Sequence, residues 1–106
     1  LVLPVLWLDI EPYTDQSIPS VDWIAAALNE CIAQGVQGGI YTGAWCWPRL
    51  GNPTLFGEAG VPLWAATYNG RADLDVPLFG GWERAMGHQY ADKPVDMDVF
   101  DPSVAY

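Results

Sequence analysis

Residues 1–10, Leu-Val-Leu-Pro-Val-Leu-Trp-Leu-Asp-Ile, are apolar almost without interruption until Asp9. A strand with one face in water alternates apolar and polar residues. A strand covered on both faces does not, and that pattern belongs to parallel sheets. Residues 1–10 therefore read as a buried strand. A loop holding Pro12 and Pro19 follows, and Ser20 is an N-cap with Asp22 in the first helical turn. Trp23, Ile24, Ala27, Leu28, Cys31 and Ile32 predict one apolar helical stripe, which Gly35 stops. Residues 38–43, Gly-Gly-Ile-Tyr-Thr-Gly, form the next strand. Strand, helix and strand in that order make a βαβ unit with parallel strands.

The rest of the chain continues the theme with shorter elements. An irregular stretch with a short helix near 53–58 leads to a strand over 61–68. A loop rich in Gly, Asp and Pro covers 69–81, a helical turn is expected at 82–86, and short strands are expected at 88–91 and 95–99. Five strands with one long helix and mostly parallel connections imply an α/β fold, part of a TIM-like (β/α) barrel or an open α/β sheet. A complete barrel takes roughly 250 residues. The 106 residues here hold about half the elements, so the chain reads as one domain or less, truncated at its N-terminus. It starts without Met, shows no signal peptide, and has no apolar run long enough for a membrane span.

Thirteen acids against four basic residues give a net charge of −9. That excess disfavours nucleic acid, whose binding draws most of its affinity from basic surface, and anionic membranes. A neutral or cationic polymer is the better match. Cys31 lies three turns into the helix, about 16 Å along its axis from the end where Cys46 is expected. A disulfide needs Cα atoms within about 7 Å, so two free, mostly buried thiols are expected.

The first strand closes on Leu-Trp-Leu-Asp-Ile-Glu, residues 6–11. Residues two apart on a strand point to one face, with Cα atoms roughly 6.6 Å apart, so Asp9 and Glu11 aim at one spot. Two carboxylates so placed are the equipment of glycoside hydrolysis; an exposed, acidic strand end is the bland alternative. Aromatic faces stack on sugars, so Trp45, Trp47, Trp64, Tyr68 and Tyr41 are candidates for a glycan groove, while Trp7 and Trp23 read as core. His88, the only histidine, reads as a packed or wall-lining imidazole. No zinc spacing accompanies it. Asp73, Asp75 and Asp92 read as solvated turn residues.

Four segments in order resemble the lysozymes of glycoside hydrolase family 25. They are Leu8-Asp9-Ile10-Glu11, then Gly39-Ile40-Tyr41-Thr42-Gly43, then Pro62-Leu63-Trp64-Ala65-Ala66-Thr67-Tyr68, and finally His88-Gln89-Tyr90 with Val95-Asp96-Met97-Asp98-Val99-Phe100. The resemblance covers nearly the whole chain and implies the C-terminal part of the family's domain, strands four to eight of its barrel, with the N-terminal strands missing. It implies a muramidase that cleaves the β-1,4 bond between N-acetylmuramic acid and N-acetylglucosamine in peptidoglycan, acting outside the cell or at the bacterial wall, secreted or as a phage endolysin. By the same resemblance Glu11 is the proton donor, Asp9 its partner and Asp96 a supporting acid. Tyr41, Trp64, Tyr68, Gln89 and Asp98 are expected to contact substrate. No cofactor or metal is implied, and the partners are glycan strands and the N-terminal half of the domain, with neither nucleic acid nor membrane.

Some positions depart from the family. Asp98 stands where it more often has Asn, His88 replaces a Trp and is expected to alter one cleft wall, and the acid of the family's first strand has no counterpart. Family 18 chitinases also end a strand in Asp-x-Glu, but they carry further acids where this chain has Trp7 and Pro4. From a different functional class, a non-catalytic glycan-binding or structural module that keeps the barrel cleft is the alternative reading.

Overall fold

The computed structural model describes residues 3–105, and the sequence readings on Leu1, Val2 and Tyr106 lie outside the described residues. Strands β1 (Leu3–Asp9), β2 (Gln37–Thr42), β3 (Leu63–Ala66), β4 (Gly87–Ala91), β5 (Met97–Phe100) and β6 (Val104–Ala105) form one sheet. Its spatial order is β5-β4-β3-β2-β1-β6. β1 to β4 run parallel to their neighbours, and β5 turns back antiparallel on β4. The long crossover helix α1 (Val21–Ala33) joins β1 to β2, and a shorter α2 (Leu55–Glu58) precedes β3. The architecture is a half-barrel sheet with its helices, a partial TIM-like barrel.

Alternation along the strands separates two faces. Toward α1, Ile10, Ile40, Leu63 and Ala65 pack with Ile24 and Leu28 into the main core. Gly38 lets the helix approach: a Cβ there would stand 2.8 Å from Leu28 Cδ2 and 3.3 Å from Cys31 Sγ. α1 starts as expected, with the Ser20 hydroxyl accepting from Trp23 N at 3.1 Å. Its buried stripe is narrower than the apolar pattern suggested. Ile24, Leu28 and Cys31 are buried, but Trp23 is 50% and Ile32 74% exposed. Each lies one residue, about 100°, off the line through 24, 28 and 31, which turns it past the sheet.

One further expectation is corrected. Residues 82–86 make no helical turn: Gly80 and Gly81 adopt φ of +60° and +75°, and Met86 N already joins the sheet by donating to Leu63 O at 2.8 Å. Trp82 is instead held by its Nε1, which donates to Val61 O at 2.7 Å. β6 pairs with Leu3 and Pro4, so the start of β1 is covered and its open edge begins only at Val5. Cys31 and Cys46 are free and buried, as expected.

Candidate active site

The face turned away from α1 carries the chemistry. In a strand successive side chains point to opposite faces, so Val5, Trp7 and Asp9 share this side of β1, Gly39 and Tyr41 that of β2, and Trp64 that of β3. Gly39 makes room for the Trp7 indole, since a Cβ would lie 2.6 Å from Cζ3 and 2.8 Å from Val5 Cγ1. Trp7 then meets Trp64 edge-on at 5.7 Å, and Trp64 meets Tyr41 at 4.7 Å and Phe100 at 5.0 Å. At the C-terminal ends of the parallel strands this wall borders a cavity of about 280 Å³, lined by Trp7, Asp9, Glu11, Tyr41, Trp64, Gln89 and Asp96. Active sites of α/β barrels are built at that end.

Six residues singled out from sequence therefore meet at one cavity: Asp9, Glu11, Tyr41, Trp64, Gln89 and Asp96. Tyr68 stands at the rim, 52% exposed, and donates its hydroxyl to Gln89 Oε1 at 2.9 Å. Asp98 lies behind the aromatic wall, where its Oδ1 accepts from Trp64 Nε1 at 3.0 Å.

Burial moves Glu11, Asp9 and Asp98 in the same direction. Burial pushes Glu11 above the ordinary carboxylate range, and the charges of Asp9 and Asp96 push the same way. Burial also raises Asp9. Asp98 is raised by burial too, against the pull of hydrogen bonds from Trp64 and Gln89. Tyr41 is shifted far upward, chiefly by burial and then by its hydrogen bond to Tyr68. A carboxyl that holds its proton beside a second carboxylate is the pairing needed to protonate a glycosidic oxygen.

Several candidates fall elsewhere. Trp47 is fully buried, packed against Trp82 at 5.1 Å and Phe56 at 6.2 Å, so it belongs to the core and not to a groove. Trp45 is 58% exposed and outside the cavity lining. Trp7, expected in the core, is a cleft wall instead. Its parity with Asp9 was the available signal, because residues 7 and 9 share a face. His88 does not shape the cleft. It is fully buried, one residue out of phase with Gln89, with Nε2 2.7 Å from Thr67 O and Nδ1 against Asp73 O. Among the described residues no three His, Cys, Asp or Glu side chains are grouped to hold a metal ion, and no helix is long and apolar enough to cross a membrane. A larger cavity of about 670 Å³ opens at the opposite end of the strands, lined by Val5, Gln37, Pro62, Met86 and others. Its charged residues are Glu58, Glu83 and Arg84.

No family model matches the chain. Individual relatives do. The chain is 31% identical over 93 residues to "Lysozyme-like protein 5" of Caenorhabditis elegans, spanning 85% of this chain and 43% of the relative. It is 32% identical over 92 residues to "Probable GH family 25 lysozyme 4" of Dictyostelium discoideum, spanning 83% and 42%. Its fold superposes on a family GH25 lysozyme from Aspergillus fumigatus with a TM-score of 0.73 at 31% identity, covering 89% of this chain and 49% of that one. The chain is a relative of the family 25 lysozymes. A muramidase from Trichobolus zukalii gives the same TM-score of 0.73 at 30% identity. The chain spans about half the length of the family 25 relatives it matches.

Proposed function

We propose that this chain is the C-terminal portion, residues 1–106, of a family 25-type catalytic domain. The whole domain would be a peptidoglycan hydrolase that cleaves the β-1,4 bond between N-acetylmuramic acid and N-acetylglucosamine. The observation that carries this reading is the convergence of Glu11, Asp9 and Asp96 on one aromatic-walled cavity at the C-terminal strand ends. The relatives' names, lysozyme and muramidase, point the same way.

In this reading Glu11 donates its proton to the glycosidic oxygen. Its raised affinity for that proton supports the assignment, because a general acid must be protonated when substrate arrives. Asp9, one turn of the pleat earlier, stabilises the oxocarbenium-like transition state or orients the substrate, and Asp96 adds negative potential from the β4–β5 side. Trp64 and Tyr41 stack on the sugar, Gln89 and Tyr68 complete the polar side of the groove, and Asp98 supports it from behind through Trp64 and Gln89. The substrate would be bacterial cell wall met outside the cell, and the partner would be the half of the domain that the longer relatives possess.

The test is release of soluble fragments from dye-labelled bacterial walls by the complete protein, alongside its Glu11→Gln variant. Wild type should release dye, and Glu11→Gln should bind walls without releasing it. If wild type releases none, and Glu11→Gln binds walls as tightly as wild type, the protein is a glycan-binding module and the hydrolase reading is lost.

A further inference from the structure

A polar network runs from the cleft lining at Tyr41 and Gln89 to Asp98. Tyr41 Oη and Tyr68 Oη lie 2.8 Å and 2.9 Å from the same acceptor, Gln89 Oε1. On the other side of Gln89, Asp98 is its partner in the antiparallel β4–β5 register and accepts from the Gln89 amide. Asp98 also accepts from Trp64 Nε1 at 3.0 Å. A carboxamide can turn by 180° with almost no change in shape, so its neighbours decide which end points where. An ionised carboxylate only accepts. The reversed Gln89 would set its oxygen against Asp98, two acceptors face to face, and leave the amide N–H groups for the tyrosines.

The proton count follows. With Gln89 Oε1 toward the tyrosines, both phenolic protons are taken inside the network. Neither phenol has an O–H left for the cleft, and each oxygen keeps at least one lone pair, Tyr68 accepting once from Tyr41. With Gln89 reversed, its amide would donate to the tyrosines, and the phenolic proton not held between Tyr41 and Tyr68 would be free to point outward. We propose that Asp98 is a specificity-positioning residue: as a carboxylate it holds Gln89 in one orientation, so that Tyr41 and Tyr68 meet the glycan only as hydrogen-bond acceptors and select sugar donors, hydroxyl or acetamido N–H. Asp98 acts through Gln89, without touching the sugar. This rests on the glycan cleft of the proposed function but not on its hydrolytic step.

The experiment uses the complete protein and its Asp98→Asn variant, with two readouts that do not require cleavage. First, the Gln89 side-chain amide is followed by NMR through the titration of the Asp98 carboxyl carbon. In wild type one amide proton should shift with the same midpoint as that carbon, distinguishing it from the nearby Asp96 and His88. In Asp98→Asn the shift should vanish. Second, binding of an N-acetylglucosamine trimer is compared with deoxyfluoro trimers, in which one hydroxyl donor at a time becomes an acceptor. At least one fluorine should weaken binding to wild type about three- to tenfold, the range of one hydrogen bond, and should cost Asp98→Asn less than about half of that factor. An amide that ignores Asp98, or a fluorine penalty equal in both proteins, overturns the proposal. If the trimer binds neither protein, the glycan reading of the cleft fails, and with it the selection of sugar donors, whatever the amide reports.

Discussion

The indole of Trp7 lies directly over Gly39, so closely that a Cβ on residue 39 would stand 2.6 Å from Trp7 Cζ3. One missing methyl on β2 thus allows a bulky ring on β1 to lie across the sheet and reach Trp64 at 5.7 Å. The wall of the cleft depends on that absence as much as on the aromatic residues themselves.

Gly39→Ala should therefore overpack the wall. The added methyl also meets Val5, so neither neighbour can yield alone, and a loss of about 1–3 kcal/mol is expected. Thermal unfolding measures the loss, and Trp fluorescence should report a displaced indole. An unchanged melting temperature would mean that Trp7 rotates away freely.

Glu11 yields a signed pH prediction. Its folded-state proton affinity is raised, so the folded chain holds that proton to higher pH than the unfolded chain does. Stability contributed by this group is therefore present below the ordinary carboxylate value and lost as pH rises through the raised one. Glu11→Gln should be more stable than wild type at neutral pH, by less than about 1 kcal/mol given the solvent access of the site. The two should converge in acid. Activity of the complete protein should fall as pH rises through the same window, and Glu11→Gln should lower it by about 10²- to 10⁴-fold.

His88 ties the segment after β3 to the sheet through the carbonyls of Thr67 and Asp73. His88→Leu keeps the bulk but removes both partners. A neutral imidazole donates through one nitrogen only, so the expected cost is about 1–3 kcal/mol for the one carbonyl that loses its donor. Limited proteolysis should then cut within 68–75 in the variant and spare wild type, and equal cutting in both would show that the loop is held by other contacts.

The 106 residues alone should show little or no wall-degrading activity and should self-associate. Among the described residues, β6 covers only Leu3 and Pro4 of β1, and the rest of that edge and the outer edge of β5 have no partner strand in the sheet order. Open edges of this kind recruit other chains. Sedimentation of the purified chain checks it, and an active monomer would refute it.

Much of this architecture was legible in the chain. The unbroken apolar run before Asp9, the Ser20 cap and the glycine-bracketed second strand each obey local rules, and together they specify a parallel βαβ unit. Period-two spacing by itself places Asp9 and Glu11 on one side. What local rules could not show was how wide the buried stripe of α1 is, because Trp23 and Ile32 become exposed only where the sheet ends beneath them. Nor could they show that residues 82–86 forgo a helix, since Met86 is already committed to a ladder bond with Leu63.

The sequence by itself determined the βαβ start, its parallel connection and the two acids at a strand end, because these follow from local residue patterns and the length of the crossover. The tertiary structure decided which aromatics face the cleft and which fill the core. Trp7 and Trp47 are the same residue type in similar company, yet one lines the cavity and the other is fully buried. Their fates depend on Gly39 and on Phe56 and Trp82, partners brought near only when the sheet forms. It also decided the direction of the Tyr41–Gln89–Asp98 network, whose hydrogen bonds join residues up to 48 positions apart and have no local signature.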